Sequence, residues 1–321
     1  MVHSTEKVKI LVTTFPFGSL DSTPCRLLEG HDVEYNDVFR KLNADELKMR
    51  LLRARPNIII AGTEPYTKEV LDLIPDLWLI SRVGIGVDGI DLVECESRGI
   101  WVVNTPDAPS NAVAELTVCQ MINMLRWVRY ADANMRLGYW TRYIGRDLRE
   151  CDVGVIGCGR IGRLVVEKLQ GLKPRRIFVN DIIPERAVGL PRAEPESKAA
   201  IFAGCDVITL HIPYDEANHH YVSEREFRLM QDDATLINTS RGKIVDEVAL
   251  YHWLREHGDA AAAIDVFAEE PYSGDLLDLS NAYLTPHLGS CTEKSRFDME
   301  VGAVDAVLDF IERKELSNRV V

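Results

Sequence analysis

Short apolar runs alternate with amphipathic stretches along most of the chain. The first run, Val8–Thr13, precedes the segment DELKMRLLRARP, in which Leu47, Leu51 and Leu52 have helical spacing and Pro56 ends the pattern. Later apolar runs such as NIIIAG and IWVVNT are also separated by short helical segments. This alternation predicts an α/β fold built on a parallel sheet.

A second series of strand-like runs begins with CDVGVIGCGRIG and continues through RRIFVND, CDVITLH, ATLINTS, AAAIDVF and AYLTPH. Between the two series, Ser110 to Met135 contains no Gly or Pro, and its apolar spacing predicts one long helix. Pro184 to Ser197 has no regular pattern and is predicted to be a surface loop. No strand follows the last predicted helix, roughly Glu293 to Arg313, so we expect that helix to return to the first domain.

The chain is long enough for two domains. It has 321 residues, whereas a single hydrophobic core rarely grows beyond about 250–300 residues. The pattern predicts that residues 1–103 and 288–321 form one domain and that residues 104–287 form a second domain inserted into it. Both are expected to be doubly wound parallel sheets covered by helices.

Composition and charge exclude several classes of function. The net charge of −13 disfavours nucleic acid as a partner, because an acidic surface repels phosphate backbones. No run approaches the ~20 apolar residues of a membrane helix, and no signal peptide is evident at the start. The seven cysteines form no C-x-x-C pair. This spacing predicts that the protein has no disulfide framework and no structural metal site. We therefore expect a cytoplasmic protein without a bound metal.

A glycine motif stands in the context that dinucleotide binding requires. Gly157, Gly159 and Gly162 follow an apolar strand and open a helix, and Asp181 ends the next strand, 19 residues beyond Gly162. The glycines permit a tight turn, close approach of a pyrophosphate, and close helix–strand packing, respectively. A carboxylate at Asp181 would accept from a ribose 2′-OH and repel a 2′-phosphate, which predicts NAD over NADP. The alternative is an ordinary glycine turn with a surface aspartate.

Three later segments carry the side chains that reduction of a keto acid requires. They are LINTSRGKIVDE with Arg241, AIDVFAEEP with Asp265 and Glu270, and LTPHLGS with His287. A guanidinium binds a carboxylate, an imidazole exchanges a proton with the substrate oxygen, and a carboxylate orients the imidazole. Taken singly, Arg241 could be a surface ion-pair partner, Glu270 a solvated acid and His287 a turn residue. Spacing alone does not show that they meet.

The motifs resemble those of the D-isomer-specific 2-hydroxyacid dehydrogenase family over nearly the whole chain. The matching segments are SRVGIGVDGIDL at 81–92, NTPDAPSNAVAEL at 104–116, VGVIGCGRIG at 153–162, NTSRG, DVFAEEP and TPHLGS. The resemblance implies a Rossmann NAD-binding domain inserted into a flavodoxin-like substrate domain, and a homodimer. It is closest in kind to phosphoglycerate dehydrogenases that lack a C-terminal regulatory domain.

The resemblance also implies roles for individual residues. Arg241 would bind the substrate carboxylate and keto oxygen, His287 would be the acid/base, and Glu270 would be its partner. The backbone N–H groups of Val83 and Gly84 would hold the substrate carboxylate from the first domain. The implied cofactor contacts are Gly157, Gly159, Arg160, Ile161, Gly162, Asp181, His211, Pro213, Thr239, Asp265 (on the nicotinamide carboxamide), His287 and Gly289.

The sequence thus predicts an NAD-dependent enzyme that moves a hydride to or from C2 of a small D-2-hydroxy or 2-keto acid. One alternative is an NAD(H)-sensing interaction protein, like the corepressors that share this fold. Another is a dehydrogenase of a non-keto acid such as formate or phosphite. The loop AGTEPYT at 61–67, expected to face the substrate side chain, has no basic residue before Lys68, which disfavours a phosphorylated substrate.

Overall fold

The computed structural model describes residues 7–321. The chain forms two compact units. Unit 1 comprises the chain up to Pro109 together with Thr292–Val321, and unit 2 comprises Ser110–Cys291. The predicted domain boundaries at 103/104 and 287/288 lie a few residues from these limits.

Unit 1 is built on a five-stranded sheet whose neighbouring strands all pair in parallel, in the order β2-β1-β3-β4-β5. This is the flavodoxin-like order, as predicted. Its strands are β1 Lys9–Val12, β2 Asp32–Tyr35, β3 Ile58–Ala61, β4 Leu79–Arg82 and β5 Trp101–Asn104. Its helices are α1 Thr23–Leu27, α2 Ala44–Ala54, α3 Lys68–Leu71, α4 Leu92–Arg98 and α12 Glu293–Ile311.

Helices cover both faces of this sheet, so its central strand is apolar at every position. All four residues of β3 are buried. Because successive side chains of a strand point to opposite faces, Ile58 and Ile60 belong to the core that contains Val304 of α12, whereas Ile59 belongs to the core that contains Leu47 of α2. The last helix therefore packs in unit 1, as its lack of a following strand predicted.

Unit 2 is built on a seven-stranded parallel sheet in the order β12-β11-β10-β9-β6-β7-β8. Read from β6 onward, this is the Rossmann order with one additional strand at the edge, as predicted. Its strands are β6 Asp152–Ile156, β7 Arg176–Asn180, β8 Glu194–Pro195, β9 Val207–Leu210, β10 Thr235–Asn238, β11 Ala261–Ile264 and β12 Ala282–Leu284. Its helices are α5 Ser110–Leu125, α6 Val128–Arg136, α7 Arg160–Leu172, α8 Pro184–Ala187, α9 Lys198–Gly204, α10 Glu224–Phe227 and α11 Glu247–Glu256.

Two local predictions were wrong. The long helix predicted from Ser110 to Met135 is two helices, because Trp127 adopts a left-handed conformation with φ of +56°. The indole packs edge-on against Tyr130 and stacks on Tyr143, an aromatic cluster that helical spacing cannot reveal. The predicted loop at 184–197 contains α8 and the edge strand β8, where a proline is tolerated because the free side of an edge strand needs no ladder hydrogen bond. None of the helices in residues 7–321 is long and apolar enough to cross a membrane.

Candidate active site

Six strands of unit 2 end in one row at the carboxyl edge of the sheet. The paired residues across this row are Asn180, Ile156, Leu210, Asn238, Ile264 and Leu284. The residues that directly follow them are Asp181, Gly157, His211, Thr239, Asp265 and Thr285. Ligands of open α/β sheets bind at this edge, so the register brings residues from distant parts of the sequence to one side of the sheet.

The glycine turn between β6 and α7 has the close approaches that its motif predicts. Gly157 has φ of +95°, and a Cβ on it would lie 2.4 Å from the carbonyl oxygen of His211. A Cβ on Gly162 would lie 1.8 Å from the carbonyl oxygen of Gly157. Around Gly159, by contrast, no atom lies within 4 Å of the Cβ position. Only the middle glycine therefore faces open space into which a phosphate can fit.

Asp181 holds the end of the same turn. Its Oδ2 accepts from the backbone N–H of Cys158 at 2.7 Å, and its Oδ1 accepts from the N–H of Ile183 at 2.8 Å. The carboxylate is thereby fixed beside the start of α7, where Arg160 and Ile161 form the first helical turn. The free N–H groups and the positive dipole end of a helix favour phosphates at this position.

His211 presents an unsatisfied polar atom next to the glycine turn. Its Nε2 lies 3.0 Å from Oγ1 of Thr209, whereas its buried Nδ1 has no hydrogen-bond partner among residues 7–321. Burial lowers the pKa of His211 to about 3, so the ring is neutral at physiological pH. A buried polar atom without a partner is costly, and a bound group that hydrogen-bonds to Nδ1 would remove this cost. Pro213 nearby in sequence is exposed.

Glu270 and His287 form a direct pair. His287 Nδ1 lies 2.9 Å from Glu270 Oε2, and Glu270 Oε1 accepts from the backbone N–H of Phe267 at 3.1 Å. Both side chains are more than one-third exposed, so they remain accessible. His287 has φ of +54°, a conformation that few residues other than glycine adopt. Its backbone N–H donates to the carbonyl oxygens of Asp265 and Thr285.

Asp265 is fully buried and holds the loop that carries His287. Its Oδ1 accepts from the Thr285 hydroxyl at 2.5 Å and from the Leu288 N–H at 2.7 Å, and its Oδ2 accepts from the Gly289 N–H at 2.8 Å. Burial raises the pKa of Asp265, against the opposing effect of these donors and of the His287 charge. The resemblance assigned this side chain to the nicotinamide, whereas these contacts direct both of its oxygens to the 285–289 loop.

Arg241 is connected to the same centre through the residue after it. A Cβ on Gly242 would lie 1.9 Å from the carbonyl carbon of Phe267, so the two backbones are in contact there. Phe267 is also the donor to Glu270. The Arg241 segment and the Glu270 loop are therefore packed together, although they come from different strands. Thr239, two residues earlier, shares a hydrogen bond with Thr117 of α5.

Several residues that organise this centre were missed from the sequence. Thr285 and Gln120 extend the Asp265 network, since Gln120 Nε2 donates to Thr285 Oγ1 at 3.2 Å. Glu247 accepts from the backbone N–H of Ala268. Gln120 gave only a weak signal, because it is one of several polar residues on a long helix. Thr285 and Glu247 gave none, because hydrogen bonds to a distant loop leave no periodic pattern.

In unit 1, the two predicted substrate donors are already engaged. The N–H of Val83 donates to the Ala61 carbonyl at 2.9 Å, and the N–H of Gly84 donates to Thr105 Oγ1 at 2.8 Å. This geometry gives no support to a carboxylate bound by these two groups. Among residues 7–321, no cluster of His, Cys, Asp or Glu has the arrangement of a metal site.

Comparisons with known proteins identify relatives of this chain. Residues 118–289 match the family described as D-isomer specific 2-hydroxyacid dehydrogenase, NAD binding domain. The chain is 35% identical to a glyoxylate reductase of Thermococcus litoralis over 252 residues, which cover 75% of this chain and 76% of that protein. It is 36% identical to a D-3-phosphoglycerate dehydrogenase of Methanocaldococcus jannaschii over 295 residues, covering 90% of this chain and 55% of that protein.

A solved structure extends the similarity to the fold. The D-lactate dehydrogenase of Aquifex aeolicus, complexed with NAD and lactic acid, superimposes with a TM-score of 0.83 at 25% identity, covering 98% of this chain and 99% of that one. The glycine turn and the open face of Gly159 are what a dinucleotide requires. The unsatisfied Nδ1 of His211 offers one further hydrogen bond to a bound group. The residues present therefore fit the cofactor bound by this structural neighbour.

Proposed function

This chain belongs to the D-isomer-specific 2-hydroxyacid dehydrogenase family, and from that premise we propose that Arg241, Glu270 and His287 form its catalytic centre. The chain is an NAD-dependent oxidoreductase that transfers hydride between NAD(H) and a hydroxy or keto acid. The observation that carries the proposal is the 2.9 Å pair between Glu270 and His287. The two residues lie on loops that follow the adjacent strands β11 and β12.

NAD would be held by the turn from Gly157 to Gly162 and by Asp181, with His211 and Thr239 further along the row of strand ends. The same set includes Arg160, Ile161, Pro213, His287 and Gly289. The family resemblance adds Asp265, whose two oxygens already accept from the 285–289 loop. When bound there, NADH would supply the hydride for the carbon that bears the keto oxygen. Asp181 favours NAD over NADP, because its carboxylate repels a 2′-phosphate and accepts from a 2′-hydroxyl.

Side chains of the protein itself would donate the proton and bind the charged carboxylate of the substrate. Glu270 accepts from Nδ1 of His287, which leaves Nε2 as the nitrogen that gives a proton to the substrate oxygen. The carboxylate also stabilises the imidazolium form that must donate. The Arg241 guanidinium would bind the substrate carboxylate and stabilise negative charge as it develops on the neighbouring oxygen. In the oxidative direction the same nitrogen takes the proton back.

The substrate is proposed to be a small 2-keto acid without a phosphate. The unit 1 loop at 61–67 contains a buried carboxylate, Glu64, which is 2% exposed, and no cation. The first base after it, Lys68, is paired with Glu94 at 3.1 Å. A phosphate needs cations or several N–H donors, and glyoxylate reductases are prominent among the relatives.

A homodimer is proposed from the exposed apolar surface of α6 and the segment after it. Trp140 is 81% exposed and Ile144 is 96% exposed. The other exposed apolar side chains there are Val128, Met135, Leu137 and Tyr139. A cluster of this kind marks a protein interface rather than a solvated surface. A cytoplasmic location is proposed because all seven cysteines are free thiols, as a reducing compartment would keep them.

The activity is tested by following NADH absorbance with a panel of acids. Glyoxylate, pyruvate, hydroxypyruvate and phosphohydroxypyruvate are offered with NADH, and formate and phosphite with NAD. We expect rapid oxidation of NADH by at least one unphosphorylated keto acid. Binding of NADH without turnover of any acid would favour the sensing protein. Reduction of NAD by formate or phosphite alone would favour a non-keto acid dehydrogenase.

A further inference from the structure

Glu270 lies at the exposed end of a loop, and this loop must hold Glu270 within hydrogen-bond distance of His287. The loop follows β11, and its residues become progressively exposed from Asp265 to Glu270. The rings of Phe267 and Tyr272 stack at 4.2 Å and close the loop on itself. This stack fixes the internal shape of the loop. It does not fix the loop relative to the helix and the turn beside it.

Glu247 supplies such an external contact. Its Oε1 accepts from the backbone N–H of Ala268 at 2.7 Å. Glu247 is the first residue of α11, yet the helix does not need it as a cap. Asp246 already caps the helix, accepting from the N–H groups of Val248 and Ala249. The Glu247 carboxylate is therefore directed away from its own helix and toward the loop that carries Glu270.

The same peptide unit is held from a second side. Besides its approach to the Phe267 carbonyl carbon, a Cβ on Gly242 would lie 2.3 Å from the Ala268 nitrogen. The Phe267–Ala268 peptide thus lies between the Gly242 backbone and the Glu247 carboxylate. The N–H of Phe267, in the preceding peptide unit, donates to Glu270 Oε1. Because the two peptide units share the Phe267 Cα, a displacement of the Phe267–Ala268 peptide would also displace this donor and move Glu270 away from His287.

The surroundings of Glu247 disfavour a charge there. Burial raises its pKa and the charges of Glu269 and Asp246 raise it further, whereas the Ala268 N–H and His220 act in the opposite direction. The charged side chains that act on the pKa of Glu247 are Glu269, His220 and Asp246, with no arginine or lysine among them. A half-buried acid among other acids contributes little to stability as a charge. Its hydrogen bond to Ala268 is its evident structural contribution.

We propose that Glu247 is a positioning residue of the active site, which holds the Phe267–Ala268 peptide so that Glu270 stays within hydrogen-bond distance of His287. The inference rests on the proposed catalytic role of the Glu270–His287 pair. It requires an acceptor at this position and not a negative charge. The amide oxygen of glutamine can therefore replace the carboxylate, whereas a leucine side chain cannot.

A double-mutant cycle tests this inference. Glu247→Leu should lower kcat about 10-fold, because small misplacements of catalytic groups cost one to two orders of magnitude, and should leave the Kd for NADH within about 2-fold of the unmodified enzyme. Glu247→Gln should retain kcat within about 2-fold. Adding Glu247→Leu to Glu270→Gln should cause no further loss, because both changes act on the same hydrogen bond.

Glu226→Leu is the matched control. Glu226 also accepts a backbone N–H, that of Ser223 at the start of its own helix α10, and it pairs with Lys198. That helix carries none of the proposed site residues. Glu226→Leu should lower thermal stability and leave kcat of the folded protein unchanged. If Glu247→Leu does not fold, Glu247→Ala replaces it in the cycle, since a smaller side chain introduces no new steric contact.

The outcomes separate this inference from the proposed function. Full activity of Glu270→Gln would overturn the role of the Glu270–His287 pair itself. An impaired Glu270→Gln beside a fully active Glu247→Leu would overturn only the role of Glu247. Equal losses in Glu247→Gln and Glu247→Leu, or independent losses in the double variant, would also overturn the positioning role.

Discussion

The two edges of the unit 2 sheet use their carboxylates differently. At the amino edge, Asp152 is paired with Arg175 at 2.8 Å and with Arg176 at 2.5 Å, and Asp206 is paired with Arg146 and Arg175. At the carboxyl edge, each of four carboxylates accepts from at least one loop backbone N–H group, and Glu270 also accepts from the His287 side chain. Those carboxylates are Asp181, Glu247, Asp265 and Glu270.

The difference separates stability from function within one sheet. The buried aspartates of the amino edge have their charges matched by guanidinium groups, which is how a buried charge avoids a large desolvation cost. The carboxyl edge contains a left-handed histidine and an unsatisfied ring nitrogen. Such costs are typical of functional sites. Substitutions at the carboxyl edge should therefore impair turnover, and those at the amino edge should impair folding.

His287→Gln should produce the largest effect on turnover. Glutamine cannot exchange a proton near neutral pH, so kcat should fall at least about 10³-fold, within the range attributed to general acid–base catalysis. The Kd for NADH should change much less than kcat, because His287 is only one of the proposed cofactor contacts and the glycine turn and Asp181 are untouched. Steady-state kinetics and NADH fluorescence titration measure the two quantities.

The same experiment can contradict the proposal. A variant with near-normal kcat would show that another group supplies the proton. A variant that loses NADH binding and thermal stability together would show that His287 is needed for the local fold. Glutamine tests this fairly, because it retains a polar side chain of similar size at a position with positive φ.

Asp265→Asn should have the next largest effect, and on both properties. The Asp265 carboxylate accepts from three donors, in Thr285, Leu288 and Gly289. The asparagine amide can accept at one oxygen only, so one of these buried donors loses its acceptor. We expect a fall in kcat of about 10²-fold and a loss of about 2 kcal/mol in the free energy of unfolding. Kinetics and urea denaturation provide the two values.

A different pattern would reassign Asp265. If only the KM for NADH rose and stability were unchanged, the side chain would act on the nicotinamide, as the family resemblance implies. The structure gives the loop-holding role a direct basis in three hydrogen bonds. A lower free energy of unfolding in Asp265→Asn thus indicates the loop-holding role, and a raised KM for NADH indicates the role on the nicotinamide.

The sequence predicted most of the fold because the fold depends on short-range pattern. Apolar runs separated by helices predicted both sheets, and the glycine motif predicted the turn at which we propose that a dinucleotide binds. The break at Trp127 was not predictable, because it depends on aromatic contacts with Tyr143 beyond the helix. The strand at Glu194–Pro195 was missed because a two-residue pairing carries no periodic signal.

For the proposed site, the sequence predicted the residue types but not the hydrogen bonds between them. Arg241, Glu270 and His287 were identified by residue type and motif, and the structure places Glu270 against His287. The engaged N–H groups of Val83 and Gly84 could not be foreseen, because their acceptors, Ala61 and Thr105, are distant in sequence. Single long-range hydrogen bonds of this kind leave no pattern in local sequence.

At the amino edge, Asp152→Asn should lower stability without affecting turnover. Asp152 is 1% exposed and accepts from both Arg175 and Arg176. The arginines are about half exposed and can regain water, so the loss should be about 2 kcal/mol, below the range for a fully buried pair. Urea denaturation measures it. A kcat reduced as strongly as in Asp265→Asn would remove the functional contrast between the two edges.

The smallest expected effect is a pH dependence of this amino-edge contribution. Burial alone would raise the pKa of Asp152, but the hydrogen bonds and charges of Arg175 and Arg176 outweigh burial and lower it from 3.8 to about 2. A carboxyl group whose pKa is lower in the folded state stabilises the fold above its unfolded pKa, and this contribution disappears as pH falls through its folded pKa. The stability difference between the unmodified protein and Asp152→Asn should therefore be constant above about pH 4 and shrink between about pH 4 and pH 2. Comparing the two proteins cancels the titration of the other carboxylates. A stability difference that stayed constant between about pH 4 and pH 2 would show that Asp152 stabilises the sheet through packing and not through its charge.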